Sequence, residues 1–273
     1  MILYQQQNGV GYYYSTLLQS KHAFATRAGG VSTFPETAAL NLAFGRGDDE
    51  ATVLQNLHLF AGAVGMDAAR VISLPQVHGN EVLCVSAADA GRGYTQPANG
   101  SGDGYVTEAA GLPLGVKSAD CVPILLEVRD ASGCVCAVSA VHAGWRGTAG
   151  GIAQHAVQAL RKVCANGEIF AAIGPCIGQC CFEVEQDCVE VFVRNLGAEL
   201  VQKCFKNGEN GKFYGDLTRI NRMLLRDAGV SDAHIDTAGI CTCCHPEQFF
   251  SHRYAAKYQD GKRGTMLSLI CKP

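Results

Sequence analysis

Short runs of Val, Ile, Leu and Tyr alternate with stretches of helical periodicity along the whole chain, and no repeat, charge block or Pro/Ser-rich linker separates them. A chain that mixes strand and helix signals throughout buries sheet faces under helices. One α/β domain over residues 1–273 is the economical expectation. With 273 residues and 48% hydrophobic content, such a chain builds a substantial core without disulfide or metal staples.

The strand candidates are 12–18, 23–27, 71–77, 81–85, 104–107, 114–117, 123–128, 135–142, 169–173 and 266–270, all short and rich in Val, Ile, Leu or Tyr. Four helices are predicted from apolar spacing. Asp49 caps one whose face is Val53, Leu57, Phe60 and Val64, with Gly65 as the stop. A second runs from about Thr148, buries Ile152, Ala156, Leu160 and Val163, and stops near Gly167. A third presents Val184, Cys188, Val191 and Phe192 and ends at Gly197. The fourth starts at the cap Asp216, buries Leu217, Ile220, Leu224 and Leu225, and ends at Gly229. Glycines and a proline break up residues 87–102, which are expected to form a mobile loop and a candidate lid.

A formal charge of −3 and a pI near 6.2 provide no basic surface for tracking nucleic acid or anionic lipid. Residues 1–20 lack a basic region followed by a long apolar stretch, and no apolar run reaches spanning length. The expectation is a soluble cytoplasmic protein with no membrane or nucleic-acid partner. In that compartment the 14 cysteines are not a disulfide framework. Cys134, Cys136, Cys164 and Cys188 read as small buried hydrophobes. The clusters Cys176, Cys180, Cys181 and Cys241, Cys243, Cys244 are less easily explained.

Three segments carry chemistry: Gln76-Val77-His78-Gly79-Asn80, Ser118-Ala119-Asp120-Cys121-Val122-Pro123 and Val141-His142-Ala143-Gly144-Trp145-Arg146-Gly147. Each sets a His or Cys where an apolar run hands over to a loop. Two imidazoles and a thiolate are a good ligand set for zinc, and three protein ligands leave a position for water or substrate. The intervals from His78 to Cys121 and on to His142 lack the close pairs of a finger or ribbon, so the fold must assemble the site from separate strand ends. Asp120 adds a carboxylate beside Cys121. Arg146, at the start of the second helix, is a candidate anion ligand together with the helix N-terminus. Arg27, beside Gly29 and Gly30, and Arg253 are further anion candidates.

Two cysteine-rich stretches match known patterns only in part. Pro175-Cys176 through Cys180-Cys181 lacks the spacing and the preceding His-x-Glu of a nucleobase deaminase. Cys241, Cys243, Cys244 and His245 make half of a metal site whose partner half is not evident, and read as a structural thiol cluster.

Residues in order along the chain, Thr26-Arg27-Ala28-Gly29-Gly30-Val31-Ser32, Leu40-Asn41-Leu42, Gly47-Asp48-Asp49, Gln76-Val77-His78-Gly79, Asp103-Gly104, Ala119-Asp120-Cys121-Val122-Pro123, His142 to Gly147, Gly174-Pro175-Cys176-Ile177, Asp216-Leu217 and Phe249-Phe250-Ser251-His252-Arg253, resemble the YfiH-like or laccase-domain family. Its members were named multicopper polyphenol oxidases and later described as purine nucleoside phosphorylases. The resemblance implies a layered α/β(β)α fold with mixed sheets, related to a Cys-His hydrolase-like superfamily. It places the metal ligands on His78, Cys121 and His142, with zinc as the usual metal and copper as the alternative.

The implied substrates are purine nucleosides (adenosine, inosine, methylthioadenosine) with phosphate, and an adenosine deaminase activity is implied as well. In this reading Cys121, Asp120 and Arg146 are the catalytic candidates, and Arg27, Arg146, Arg253 and Gln76 bind substrate or phosphate. The chain is expected to be a monomer or a homodimer. The competing expectations are a metal-independent thiol hydrolase using Cys121 and His142, a copper-dependent polyphenol oxidase, and a metal-binding interaction module. The oxidase reading is weakened because no close His-x-His pair is present.

Overall fold

The computed structural model describes residues 1–273. The chain opens with strands β1 (Ile2–Gln7), β2 (Val10–Ser15) and β3 (Lys21–Ala25), helix α1 (Glu50–Ala63), and strands β4 (Val82–Cys84), β5 (Gly104–Thr107) and β6 (Leu114–Ser118). Strands β7 (Val122–Arg129) and β8 (Val135–Ala143) lead into helices α2 (Trp145–Ala149) and α3 (Ile152–Val163), then strands β9 (Glu168–Ile173) and β10 (Glu183–Val184). Helices α4 (Gln186–Leu196) and α5 (Ala198–Cys204), strands β11 (Phe205–Asn207) and β12 (Phe213–Gly215), and helix α6 (Leu217–Asp227) follow. The chain closes with β13 (Ile235–Thr237), helix α7 (His252–Tyr258) and β14 (Met266–Cys271).

The strands form three sheets, ordered β13-β9-β7-β8-β5-β4, β1-β2-β3-β14-β6 and β10-β12-β11. The first is mixed, as expected: β13 with β9 and β4 with β5 pair in parallel, and the other pairs are antiparallel.

Period-two alternation builds the layers. On β7, Ile124 and Leu126 pack with Ile152, Ala156 and Leu160 of α3, while Leu125 points the other way, toward Phe24, Val116 and Ile270 of the five-stranded sheet. On β14, Leu267 and Leu269 face Val53, Leu57 and Phe60 of α1. Two stacked sheets are thus covered by helices on their outer faces, and each fully buried Leu or Phe contributes about 1.5–3 kcal/mol of burial.

The helix ends follow from side-chain chemistry. Asp49 accepts the Thr52 N–H at 2.7 Å and Asp216 accepts the Arg219 N–H at 2.8 Å, each satisfying a donor that the first turn leaves orphaned. Gly65 and Gly229 end these helices at φ 70° and 87°.

Several expectations are corrected. Residues 71–77 form no strand; only Ile72 bridges, to Leu114, and the run crosses the core as extended chain. The second helix is two, because Gly151 at φ 75° breaks it between α2 and α3. Val184 lies in β10 rather than in the third helix. The 87–102 stretch is pinned: Tyr94 is buried and its hydroxyl donates to Leu42 O, while Gly102 N–H donates to Pro75 O. Cys134 is exposed and Cys136 and Cys164 are only half-buried, because Cys134 precedes β8 and Cys164 closes α3. No helix is long and apolar enough to cross a membrane.

Candidate metal centre and active site

Strand register brings the chemistry to one end of the six-stranded sheet. Pro123 of β7 pairs with His142 of β8, so Cys121, just before β7, lies beside the end of β8. Gly104 of β5 pairs with Val141, which sets Asp103 next to His142. His78 arrives on the loop before β4, where Asp103 fastens it: the carboxylate accepts N–H groups from Val77 at 3.1 Å, His78 at 3.0 Å and Gly79 at 2.7 Å. His78 holds φ 60° and Asp120 φ 93°, a left-handed backbone that costs non-glycine residues energy and clusters at functional sites.

The ligand atoms of His78, Cys121 and His142 lie within 4.8 Å of one another, and the two imidazoles meet edge to face with centroids 4.9 Å apart. Gly144 lies beneath them. A Cβ there would sit 2.9 Å from His78 Cδ2, 3.4 Å from Cys121 Sγ and 3.5 Å from His142 Cε1, so only glycine leaves the cradle open. No fourth His, Cys, Asp or Glu joins the trio, and His78 is exposed on its outer side. This donor set fits a metal with an open position.

Electrostatics favour a thiolate–imidazolium pair: Cys121 is drawn toward its metal-binding form, while His142 is drawn toward a cation whose Nε2 proton a metal must displace. Burial opposes the Cys121 thiolate, but His142 and His78 outweigh it and lower the thiol's pKa. Burial also disfavours the His142 cation, yet Cys121 and Asp103 raise the imidazole. His142 Nδ1 lies 2.8 Å from Asp103 Oδ1, which fixes the ring and turns Nε2 toward the trio.

Two unlike cavities open from this centre and share His78, Ala119, Cys121 and Arg263. One, of about 350 Å³, is cationic through Arg46, Lys117 and Arg263 and is closed on one side by Gly93 and Ala98. Burial, with Arg46 alongside, pushes Lys117 down to about 8, and the Nε of Arg263 is buried without a partner. The other, of about 610 Å³, is walled by Trp145, Ile177, Phe182, Val184 and Leu217, with Arg146, His252 and Arg253 at its polar side.

A family model described as multi-copper polyphenol oxidoreductase laccase matches residues 21–272. The chain belongs to this family. It is 36% identical over 249 residues to the purine nucleoside phosphorylase YlmD of Geobacillus stearothermophilus, covering 90% of this chain and 87% of that protein. It is 35% identical over 244 residues to adenosine deaminase RL5 of an unknown prokaryotic organism, covering 86% and 89%. The crystal structure of the hypothetical protein YfiH from Bacillus licheniformis superposes with a TM-score of 0.87 at 30% identity, over 99% of each chain.

Within this laccase-family centre the remaining candidates separate. Arg146 lines the apolar cavity and stacks on Trp145 at 4.1 Å. The anion seat expected at the head of a long helix is reduced, because α2 spans five residues. Arg253 also lines that cavity, on helix α7, and its guanidinium donates to Cys181 O and Glu183 O at 2.9 Å each.

Asp120 is buried. Its carboxylate accepts from Thr242 Oγ1 at 2.6 Å and Arg253 N–H at 2.7 Å, and its carbonyl accepts from Ile177 N–H at 2.9 Å. Gln76 reaches the cationic cavity, but its amide pairs with both backbone groups of Lys117, at 2.7 Å each. Arg27 lines neither cavity; it donates to Ala38 O, Pro246 O and Pro35 O and lies over Phe250.

Sequence reasoning missed Asp103, Arg46, Lys117 and Arg263. The available signal was a charge out of pattern: Lys117 interrupts the apolar run of β6, and Arg46 and Arg263 each adjoin glycines.

Proposed function

We propose that the protein is a metal-dependent purine nucleoside phosphorylase, with adenosine deamination as a second activity of the same centre. The observation that carries this reading is the seating of His78, Cys121 and His142 between a cationic cavity and a larger apolar one that share Arg263. The relatives named purine nucleoside phosphorylase and adenosine deaminase, each alike over most of the chain, support it. The proposed substrates are adenosine, inosine and methylthioadenosine with inorganic phosphate. The proposed metal is zinc, with copper as the alternative. The two clusters of metal-ligating residues, one His-Cys-His and one of four cysteines, hold two histidines between them, which speaks against the histidine-rich centre of a multicopper oxidase. Because the centre draws on both large sheets and on α2 and α7, residues 1–273 are read as one functional unit.

In phosphorolysis a phosphate oxygen bonds to the ribose carbon as the glycosidic bond breaks, and the electron pair leaves with the base. Arg46, Lys117 and Arg263 collect and neutralise the phosphate in their cavity. Trp145, Ile177 and Phe182 enclose the base opposite, so the shared wall holds the two reactants together. Arg146, at the polar side, is placed to hydrogen-bond the sugar or base. Bound at the trio, a divalent ion supplies Lewis acidity toward a phosphate or ribose oxygen. As the acid/base for deamination, Asp120 must first release Thr242 or Arg253; otherwise it acts by positioning these residues. Asp120→Asn separates the roles: loss of deamination with phosphorolysis retained supports proton transfer, and equal loss of both supports positioning.

The same geometry favours one other reading. Cys121, His142 and Asp103 are ordered as a nucleophile, a base and an orienting carboxylate, the arrangement of a metal-independent thiol hydrolase acting on amides or peptidoglycan precursors. Incubating metal-analysed protein with a nucleoside panel, with and without phosphate, and identifying products by mass tests the leading reading. Phosphate-dependent release of free purine and ribose 1-phosphate supports it; no nucleoside turnover in either arm overturns it.

A further inference from the structure

The expected half-site at Cys241–His245 has a partner after all. The turn after β9 brings Cys180 and Cys181 to Cys241 and Cys244, so that the four sulfurs lie within 4.8 Å of one another. Cys180 Sγ is 3.5 Å and Cys181 Sγ 3.4 Å from Cys244 Sγ. Zinc–thiolate bonds of about 2.3 Å give a tetrahedron with edges of about 3.8 Å; the two Cys244 pairs are a few tenths of an ångström shorter, and every pair lies within 4.8 Å. We propose that Cys180, Cys181, Cys241 and Cys244 form a second, mononuclear metal site with four thiolate ligands, structural in role and suited to zinc.

The backbone around the sulfurs is built for this. Cys176 and Cys241 form a parallel bridge, with Cys176 N–H donating to Ile240 O at 3.2 Å and Thr242 N–H to Cys176 O at 3.0 Å. The two segments are therefore aligned by the peptide groups, independently of any ion. Gly178 N–H donates to Cys241 Sγ at 3.2 Å, a contact that stabilises a thiolate ligand. A Cβ at Gly178 would lie 3.3 Å from Cys180 Sγ and 3.4 Å from Cys241 Sγ, crowding the space between them. Cys241 and Cys244 have the two-residue spacing of a zinc ligand pair. Two neighbouring groups are directed elsewhere: Cys176 Sγ meets Thr218 Oγ1 at 3.1 Å and His245 Nδ1 meets Glu247 Oε1 at 3.2 Å, whereas Cys243 lies at the edge of the cluster, against Cys181 and Ser251. Four thiols this close, two of them exposed, gain most from a shared cation, because four thiolates repel one another without one.

Such a site clamps two segments that reach the apolar cavity. Cys181 O holds the Arg253 guanidinium, Ile177 and Phe182 lie on either side of the thiol pair in sequence, and Thr242 bonds Asp120. The clamp does not depend on which reaction the His78 centre performs.

The test uses full-length protein, reduced and stripped of metal, carrying Cys121→Ser so that the first centre contributes no thiolate. Titration with Co2+ is expected to give the intense thiolate-to-cobalt charge transfer and tetrahedral ligand-field bands of a four-sulfur site at one equivalent. X-ray absorption of the zinc form is expected to show four sulfur neighbours. Adding Cys180→Ser, at an exposed position, is expected to abolish the four-sulfur spectrum while far-UV circular dichroism is retained. Absence of thiolate charge transfer in the Cys121→Ser protein, a multi-iron cluster spectrum, or a Cys244 disulfide that re-forms in place of metal uptake overturns the proposal.

Discussion

Asp103 Oδ1 lies 2.8 Å from His142 Nδ1, and the same carboxylate gathers the backbone N–H groups of Val77, His78 and Gly79. One buried side chain thus orients two of the three ligands, which come from different segments. Asp103→Asn keeps the size but loses the charge and the fixed imidazole tautomer. Zinc affinity is expected to fall by roughly 10–100-fold, as for other carboxylate–histidine pairs behind a metal. Competition against a chromophoric chelator measures it, and an unchanged affinity contradicts the role given to Asp103.

Lys117 makes the phosphate side sensitive to pH. Burial, with Arg46 beside it, lowers its pKa to about 8, so its positive charge is present below pH 8 and lost above it. KM for phosphate is expected to rise as pH increases through about 8. Lys117→Arg, which stays charged, should flatten that limb, and Lys117→Met should raise KM across the range. Parallel profiles for all three proteins would remove Lys117 from phosphate binding.

Gly144 is predicted to tolerate no side chain. In Gly144→Ala the new methyl lies 2.9 Å from His78 Cδ2, on the ring itself, so the imidazole must move out of reach of the other ligands. Bound metal at this centre should fall well below one equivalent while the chain stays folded, as read by elemental analysis in a Cys180→Ser background.

Two arginines should behave oppositely. Arg27 donates to three backbone carbonyls that it alone ties together, so Arg27→Met should cost about 1–3 kcal/mol of stability and leave KM for phosphate unchanged. Arg263 borders both cavities with its Nε unpartnered, so Arg263→Met should raise KM for phosphate with little effect on unfolding. Denaturant midpoints and initial rates separate them.

The sequence disclosed what local chemistry controls. Asp49 and Asp216 cap helices whose buried faces follow the apolar spacing, and β5 and β7–β9 are continuous apolar runs because both faces are covered. β1 escaped notice because it is a Gln-rich, mostly exposed edge with no pattern to read. Residues 71–77 misled because an extended segment crossing a core is as apolar as a strand. The trio was legible from ligand types alone. Asp103 beside His142, the cationic cavity, and the meeting of Cys180 and Cys181 with Cys241 and Cys244 arise from strand register and loop crossing, which composition and spacing do not encode.

The most direct measurement follows purine release from adenosine with phosphate, by mass, in metal-stripped protein before and after two equivalents of zinc are added, one for each centre. Cys121→Ala runs alongside. The predicted result is no phosphorolysis in the stripped protein, recovery on adding zinc, and none in Cys121→Ala under either condition. Undiminished phosphorolysis by the stripped protein or by zinc-free Cys121→Ala would contradict a metal centre at His78, Cys121 and His142.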